Sequence, residues 1–284
     1  MAGTAGANDV IEAREIYCRV GTKTILERVS LCVRSGEVLA LVGPNGSGKS
    51  TLLRILSGEL SPSQGEIWMN ERRLDSWSAS EQAQVRAVLP QTPHLYSAFT
   101  VEEVALMGRV PHIGKRSSEF DRRIAREALQ RTNMLDCADR LYTTLSGGEK
   151  QRVQLARVFA QINAPEVSET RYLLLDEPTS SLDLKHQHAL LQTAVQLSRE
   201  GVAVLIVLHD LILAAQYADR VAVVQDGQIA SCGLPMEVLT DELISKVFGI
   251  PASWLSWRNR ESYASWSPFV DNMNAGVQTA STTS

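Results

Sequence analysis

The sequence predicts an α/β fold built on a mainly parallel sheet. Short runs rich in Val, Ile and Leu alternate with helical patterns, and a glycine-rich loop joins the first run to a helix. Three runs have the length and composition of buried parallel strands: Val38–Val42, Tyr172–Leu175 and Val202–Leu208. The helical patterns predict helices over Ser50–Ser57, Glu149–Ala160 and His186–Arg199.

The middle and the end of the chain have different patterns. From about residue 100 to 160, apolar side chains such as Ile124 and Leu129 lie among Arg and Glu without a strand pattern, which predicts an inserted helical subdomain. Near the end, Val221–Gln225 and Gln228–Cys232 flank an Asp-Gly pair, a pattern typical of a β-hairpin. We therefore expect one domain over residues 9–250 and a C-terminal extension over 251–284 with a flexible tail.

The composition excludes several classes of protein. The 284 residues include 28 basic and 32 acidic side chains, whereas a general nucleic-acid binder would have a basic surplus. The longest apolar run has seven residues, and a membrane-spanning helix needs about 20. The first residues lack the pattern of a secretory signal, and the four cysteines lie far apart without a C-x-x-C pair. We expect a cytoplasmic protein without a zinc site.

A candidate phosphate-binding loop directly follows the first strand. It matches G-x-x-x-x-G-K-S/T between a strand and a helix, which is the context that this motif requires. Small residues let backbone N–H groups turn toward phosphate oxygens, and the helix N-terminus adds its positive dipole. We expect Lys49 to contact the β- and γ-phosphates and Ser50 to supply a hydroxyl to Mg²⁺. The predicted nucleotide-binding residues here are Gly43, Pro44, Asn45, Gly46, Ser47, Gly48, Lys49, Ser50 and Thr51.

Two carboxylates follow the apolar residues of the second strand. Because ligands of parallel sheets bind at the carboxyl ends of the strands, we expect Asp176 beside the phosphate loop, holding Mg²⁺ directly or through water. Glu177 can then orient or deprotonate the attacking water. The alternative is a pair of solvated acids at a strand end, and the neighbouring phosphate loop argues against it.

A second candidate anion site precedes the helix that begins near residue 149. Ser146 and Glu149 have the spacing of a capping box, and Gly147 and Gly148 expose backbone N–H groups at the start of the helix. One chain thus carries two half-sites for a single phosphate chain. This predicts a head-to-tail homodimer, in which Ser146 of one copy caps the nucleotide held by Lys49 of the other.

The order of these motifs resembles that of the ATP-binding subunits of ABC transporters over about residues 10–250. The phosphate loop matches the Walker A motif, and Leu145–Glu149 matches the signature. Leu173–Glu177 matches the Walker B strand with its catalytic Glu. Ser180–Asp183 resembles the D-loop. The resemblance implies a P-loop NTPase (RecA-like) core with a mainly parallel sheet, an N-terminal antiparallel β part and an inserted α-helical subdomain.

The resemblance also implies a mechanism in which two copies sandwich two ATP molecules with Mg²⁺. Gln91 matches the Q-loop, which senses the γ-phosphate and Mg²⁺ and links the site to a membrane partner. His209 is similar to the switch histidine, which contacts the γ-phosphate and the attacking water, and Asp183 works across the dimer. The implied catalytic residues are Glu177, His209 and Gln91. The implied Mg²⁺ ligands are Ser50, Gln91 and Asp176.

Partners and location follow from the same resemblance. It implies two transmembrane permease subunits and a periplasmic substrate-binding protein, with this chain peripheral on the cytoplasmic face of the bacterial inner membrane. We hypothesise that some of the apolar residues after Gln91 line a groove for a permease helix. The alternative is that they form the core of the helical subdomain. These residues are Leu95, Tyr96, Phe99 and Met107.

One position departs from the family pattern. The family often has an aromatic ring for adenine about two dozen residues before the phosphate loop, where this chain has Val20 followed by Gly21. Tyr17 is near but off register. We therefore expect weak apolar contact with the base, and most of the affinity from the phosphates and Mg²⁺.

The cargo is implied by resemblance alone. Phe99–Arg109 is similar to importer subunits that serve siderophores, cobalamin and haem. About ten residues inserted between Gln161 and Arg171, together with Asp183–His188, are similar to haem-import subunits. Haem (hemin) is therefore the expected cargo, with ferric siderophore or cobalamin as the alternatives. We expect four histidines to be solvated or capping rather than haem ligands: His94, His112, His186 and His188.

Two other functions use a phosphate loop. A soluble, non-transport ABC ATPase usually has paired cassettes or long coiled coils, whereas this chain has one cassette and no heptads. A P-loop kinase or GTPase has no role for the signature or for His209.

The C-terminal extension could pack on the main domain, cover the dimer or touch the membrane surface, and we favour the first. Its aromatic residues are Trp254, Trp257, Tyr263, Trp266 and Phe269.

Overall fold

The strands form two sheets, as a computed structural model describes them for residues 9–91, 98–114, 118–164, 167 and 169–251. The strands are β1 (Asp9–Val20), β2 (Lys23–Arg34), β3 (Val38–Val42), β4 (Gln64–Met69), β5 (Arg72–Arg73), β6 (Arg86–Leu89), β7 (Tyr172–Asp176), β8 (Ala203–Val207), β9 (Arg220–Gln225) and β10 (Gln228–Gly233). The helices are α1 (Lys49–Leu56), α2 (Ala79–Val85), α3 (Val101–Leu106), α4 (Ser118–Arg131), α5 (Gly147–Ile162), α6 (Leu184–Arg199), α7 (Leu211–Tyr217), α8 (Pro235–Val238) and α9 (Asp241–Phe248).

The larger sheet confirms the predicted α/β fold. Its strand order is β10-β9-β3-β8-β7-β6, and all neighbours are parallel except the β9–β10 hairpin. Every residue of β3, β7 and β8 is buried, so these strands carry continuous apolar runs rather than an alternating pattern. β3 has the predicted bounds, β7 extends one residue further to Asp176, and β8 is shorter than predicted by one residue at each end.

The smaller sheet is the N-terminal antiparallel part that the family resemblance implies. Its order is β2-β1-β4-β5. Alternate residues in the second half of β2, Val29, Leu31 and Val33, are buried against a core shared with α1. The residue patterns did not predict these strands, because register shifts interrupt the pairing of β1 with β2 between Ala13 and Ile16 and Glu15 has a positive φ.

The helical region also agrees with the prediction, although it does not follow β3 directly. β4, β5, α2 and β6 lie between β3 and α3. α3 begins with a capping box between Thr100 and Glu103. The buried guanidinium of Arg109 joins the helices: it donates to Asp121 Oδ1 at 2.9 Å and to the carbonyl oxygens of Ala160 at 2.9 Å and Asn163 at 2.8 Å.

Contacts divide the chain into two units, one up to Val238 and one from Leu239. In the described part of the second unit, the Thr240 hydroxyl caps α9 by accepting from the backbone N–H of Leu243 at 3.2 Å. The domain boundary at residue 250 stays a prediction. None of the helices in the described ranges has the length and apolar character that crossing a membrane requires.

Candidate functional site

The candidate site lies at one edge of the larger sheet, where the parallel strands end. Leu41 of β3 pairs with Val207 of β8, and Val207 pairs with Asp176 of β7. The residues that follow these strands therefore emerge at the same level. They are the phosphate loop after β3, Glu177 after β7, and His209 after β8. This arrangement agrees with the rule that ligands bind at the carboxyl ends of parallel strands.

The phosphate loop wraps around the Lys49 side chain. Lys49 Nζ donates to the carbonyl oxygens of Gly43 at 2.8 Å and Pro44 at 2.9 Å. Gly48, with φ 107°, precedes α1 without a side-chain cap, so the first N–H groups of the helix remain available to an anion. Ser47 Oγ is buried and has no hydrogen-bond partner within the described ranges. A free hydroxyl and uncapped N–H groups suit phosphate oxygens.

The loop can adopt this path only because its first residue has no side chain. A Cβ on Gly43, which has a φ of 150°, would lie 2.1 Å from the carbonyl oxygen of Val224 in the β9–β10 hairpin. The turn of that hairpin also supports the loop, because the N–H of Gly227 donates to the carbonyl oxygen of Ser47 at 3.0 Å. The sequence patterns predicted the hairpin but not this supporting role, which depends on contacts between distant segments.

Asp176 lies beside the start of α1. The hydroxyl of Ser50 donates to Asp176 Oδ1 at 3.1 Å. Burial raises the pKa of Asp176, and the charge of Glu177 adds to this, whereas Ser50 and Lys49 act in the opposite direction. Burial likewise lowers the pKa of Lys49 against the attraction of both carboxylates. The carboxylate of Asp176 and the ammonium group of Lys49 would therefore each be stabilised by a ligand of opposite charge.

Glu177 is held by two partners that the sequence analysis named. Gln91 Nε2 donates to Glu177 Oε2 at 2.8 Å, and His209 Nε2 lies 2.6 Å from Glu177 Oε1. The backbone of Glu177 has a φ of 48°, an uncommon conformation for a residue other than glycine and one that is enriched at functional sites. The structure thus brings all three predicted catalytic residues into direct contact.

The oxygen-rich residues near α1 fit Mg²⁺ better than a softer metal. Ser50 and Asp176 already share a hydrogen bond, and Gln91, whose Nε2 donates to Glu177, also carries an amide oxygen. Hydroxyl, carboxylate and amide oxygens are the protein ligands that Mg²⁺ prefers, and it usually takes few of them together with phosphates and water. Within the described residues no group of three or more His, Cys, Asp or Glu side chains is placed to hold a metal.

The predicted capping box is present at the start of α5. The Ser146 hydroxyl accepts from the N–H of Glu149 at 3.3 Å, and Glu149 Oε2 accepts from the N–H of Ser146 at 2.8 Å. This exchange lowers the pKa of Glu149. The described contacts of Ser146 all lie within its own helix start, and none joins it to the phosphate loop. Ser146, Gly147, Gly148 and Glu149 therefore form a separate surface.

His112 is not solvated, but it caps the last turn of α5, in agreement with the expectation of solvated or capping histidines. His112 is fully buried, with Nε2 3.0 Å from the carbonyl oxygen of Gln161, because the short 3₁₀ segment Met107–His112 packs against α5.

Val20 is 64% exposed at the end of β1, and Phe99 and Met107 are half-buried. Several other predictions fall on residues outside the described ranges: His94, Leu95, Tyr96 and the five aromatic residues of the C-terminal extension.

Gly43 provides a direct test of the loop geometry. We expect Gly43→Ala to lower the free energy of unfolding by about 1–3 kcal/mol more than Gly201→Ala, because only the first substitution drives a Cβ into backbone. Gly201 is a matched control, since its φ is also positive, at +85°, and no heavy atom lies within 4 Å of the added Cβ. Urea denaturation measures both costs, and equal costs would contradict the crowding at Gly43.

The sequence and structure of this chain are similar to those of known transport ATPases. A family model described as "ABC transporter" matches residues 26–180. The chain is 54% identical over 241 residues to a hemin import ATP-binding protein, HmuV, of Gloeobacter violaceus, covering 85% of this chain and 88% of the relative. It is 47% identical over 241 residues to the protein of the same name in Pseudomonas aeruginosa, covering 85% of this chain and 93% of the relative.

Solved structures of ABC transporter ATP-binding subunits are also similar to this chain. An ATP-binding subunit of an ABC transporter superposes with a TM-score of 0.71 at 26% identity, covering 87% of this chain and 98% of that chain. A dimeric bacterial ABC transporter cassette superposes with a TM-score of 0.69 at 28% identity, covering 79% of this chain and 98% of that chain. The similarity therefore extends over most of the chain.

Proposed function

Since the chain belongs to the ABC transporter family, we propose that it hydrolyses ATP to energise the import of haem (hemin) across the bacterial inner membrane. The contact of Glu177 with Gln91 and His209, at the edge that carries the phosphate loop, supports the hydrolytic part. The names of the relatives, hemin import ATP-binding proteins, support the cargo. In this proposal two copies of the chain assemble with two permease subunits and a periplasmic binding protein. The two copies are peripheral on the cytoplasmic face of the inner membrane.

The phosphate loop binds the triphosphate of ATP. Lys49 Nζ now donates to two loop carbonyl oxygens and would turn toward the β- and γ-phosphates, whose charge offsets the cost of burying the ammonium group. The N–H groups at the start of α1 and the buried Ser47 hydroxyl donate to the remaining phosphate oxygens. The contact with the adenine base of ATP is weak, since exposed Val20 offers only an aliphatic surface.

Ser50, Asp176 and Gln91 hold Mg²⁺ in this proposal. The bound ion would neutralise charge that develops on the β- and γ-phosphates. The 3.1 Å contact between Ser50 and Asp176 keeps both oxygens on one side of the phosphate loop. Because burial raises the pKa of Asp176, its carboxylate gains from a cation nearby.

Glu177 acts on the attacking water. Gln91 and His209 each contact one oxygen of its carboxylate, and each oxygen keeps a second lone pair for a hydrogen bond from water. A carboxylate held in this way can orient the water and take its proton as the bond to the γ-phosphate forms. In this proposal His209 also contacts the γ-phosphate, as the family resemblance implies.

A second copy completes each site. The capping box holds Ser146 and the N–H groups of Gly147 and Gly148 at the exposed start of α5, where they can contact a nucleotide bound by the partner. Asp183 also takes part across the dimer. A lone copy therefore has only half of the groups that hydrolysis requires.

We expect Glu177→Gln to keep MgATP binding but to slow hydrolysis by roughly 10²–10⁴. The amide preserves the size of the side chain and one acceptor oxygen, yet it cannot take the proton of the attacking water. Equilibrium binding and steady-state phosphate release measure the two effects separately. Glu242→Gln, on the exposed face of α9, is the control. Near-normal turnover of the Glu177 variant would refute the role of this residue.

A mixing experiment tests the shared site. Lys49→Met and Ser146→Arg should each inactivate the homodimer, because every site loses one essential contribution. When the two variants are mixed, a heterodimer regains one intact site, built from Lys49 of one copy and Ser146 of the other. We expect ATPase activity of the mixture well above the sum of the two variants. Activity equal to that sum would show that each chain builds its site alone.

Vesicle uptake tests the cargo. We expect the chain, reconstituted with its permease and binding protein, to support ATP-dependent accumulation of haem in preference to a ferric siderophore or cobalamin. The Glu177→Gln complex controls for leakage and passive binding. Preferential uptake of another cargo would replace haem in the proposal. A soluble, non-transport ATPase would fail to associate with any multi-span membrane protein.

A further inference from the structure

A histidine outside the site described above joins two elements that both act across the proposed dimer. His186 lies in the first turn of α6, and its Nδ1 is 2.7 Å from Asp183 Oδ1. Its Nε2 is 3.0 Å from Arg152 Nη1, on α5. The imidazole therefore bridges the D-loop segment Ser180–Asp183 and the helix that begins at the signature.

The chemistry of the two partners assigns the proton on the ring. A guanidinium can only donate, so Nε2 must be the nitrogen that accepts from Arg152. Nδ1 then carries the hydrogen and donates to the carboxylate of Asp183. His186 is thus neutral and fixed in one tautomer. A charged imidazolium would have no lone pair for Arg152 and would face a like charge.

Other contacts hold the residues around this bridge to α5 and α6. On α5, the residue beside Arg152 is Gln151, whose Nε2 donates to the carbonyl oxygen of Pro178 at 2.7 Å. A Cβ on Gly148 would lie 3.2 Å from the carbonyl oxygen of Ser181, so the backbones approach closely. Gln187 Nε2 donates to the carbonyl oxygens of Thr179 at 3.1 Å and Leu182 at 2.9 Å.

The side chain of Asp183 is more exposed than that of His186, which contacts it. Its side chain is 67% exposed, whereas that of His186 is 22% exposed. The backbone N–H of His186 donates to Asp183 Oδ1 at 2.9 Å, and this bond together with the imidazole lowers the pKa of Asp183. The carboxylate is therefore ionised and exposed, whereas the imidazole of His186 that contacts it is mostly buried.

We propose that His186 is a positioning residue that ties Asp183 to the signature helix α5 through Arg152. The inference rests on the proposed function, because Asp183 and Ser146 act across the dimer. The link makes the D-loop and the signature of one copy move together. Closure of the signature on the nucleotide held by the partner copy would then also set the position of Asp183 in that same site. His186 touches neither nucleotide, so its loss affects turnover more than ATP binding.

Steady-state ATPase measurements on the full chain with MgATP test this role. His186→Ala should lower kcat about tenfold, the loss expected for a hydrogen bond to a charged group, and leave KM for ATP within about twofold. The control is His188→Ala on the same helix. It removes a 2.7 Å contact with the hydroxyl of Tyr217 but does not reach the D-loop. We expect this control to keep the wild-type kcat.

Conservative variants separate positioning from folding. His186→Asn can keep a donor for Asp183, and His186→Gln can keep an acceptor for Arg152, but neither spans both partners. Both should therefore slow turnover at an unchanged melting temperature. In a double-mutant cycle with Arg152→Met, we expect the double variant to be no slower than the slower single variant, since all three residues form one network.

The outcomes distinguish this inference from the proposed function. An active wild type with unchanged kcat in all three His186 variants would overturn the positioning role alone. Additive losses in the cycle, or an equal loss in His188→Ala, would also overturn it. Wild-type protein that does not hydrolyse MgATP, alone or with its permease, would overturn the proposed function and the inference with it.

Discussion

The backbone register of the parallel sheet is the constraint on which the site depends. Pairing of Leu41 with Val207 and of Val207 with Asp176 brings three strand ends to one level. The catalytic groups are far apart in the chain, and only this register places them together. A parallel strand pair needs a long crossover connection, so each intervening segment is free to carry a helix or a subdomain without moving the site.

The site concentrates charge where the fold alone would not favour it. Asp176 and Lys49 are buried, and burial disfavours the charged form of each. Glu177 also occupies a left-handed backbone conformation. These features cost stability in the protein by itself, and a bound triphosphate with its cation would offset part of that cost. Local conflict of this kind is typical of functional sites.

Prediction from the sequence succeeded where the signal was local. The apolar run of β3 gave its bounds, and the spacing of Ser146 and Glu149 gave the capping box, because a capping box involves one helix start only. It failed for β1, whose bulges interrupt the alternation that marks a strand. It left open whether His112 is solvated or caps a helix, since a 3₁₀ segment ending in histidine gives no sign that it packs under α5.

The amino-acid sequence by itself determined the chemistry: a phosphate loop, a carboxylate pair and a signature, each made of neighbouring residues whose conformation is set by local sterics and hydrogen bonding. The tertiary structure decided which of these groups meet. It brought Gln91 and His209 to the two oxygens of Glu177, and it joined Arg152 to Asp183 through His186. Those contacts depend on sheet register and helix packing, which are cooperative properties of the whole domain and leave no pattern in any short segment.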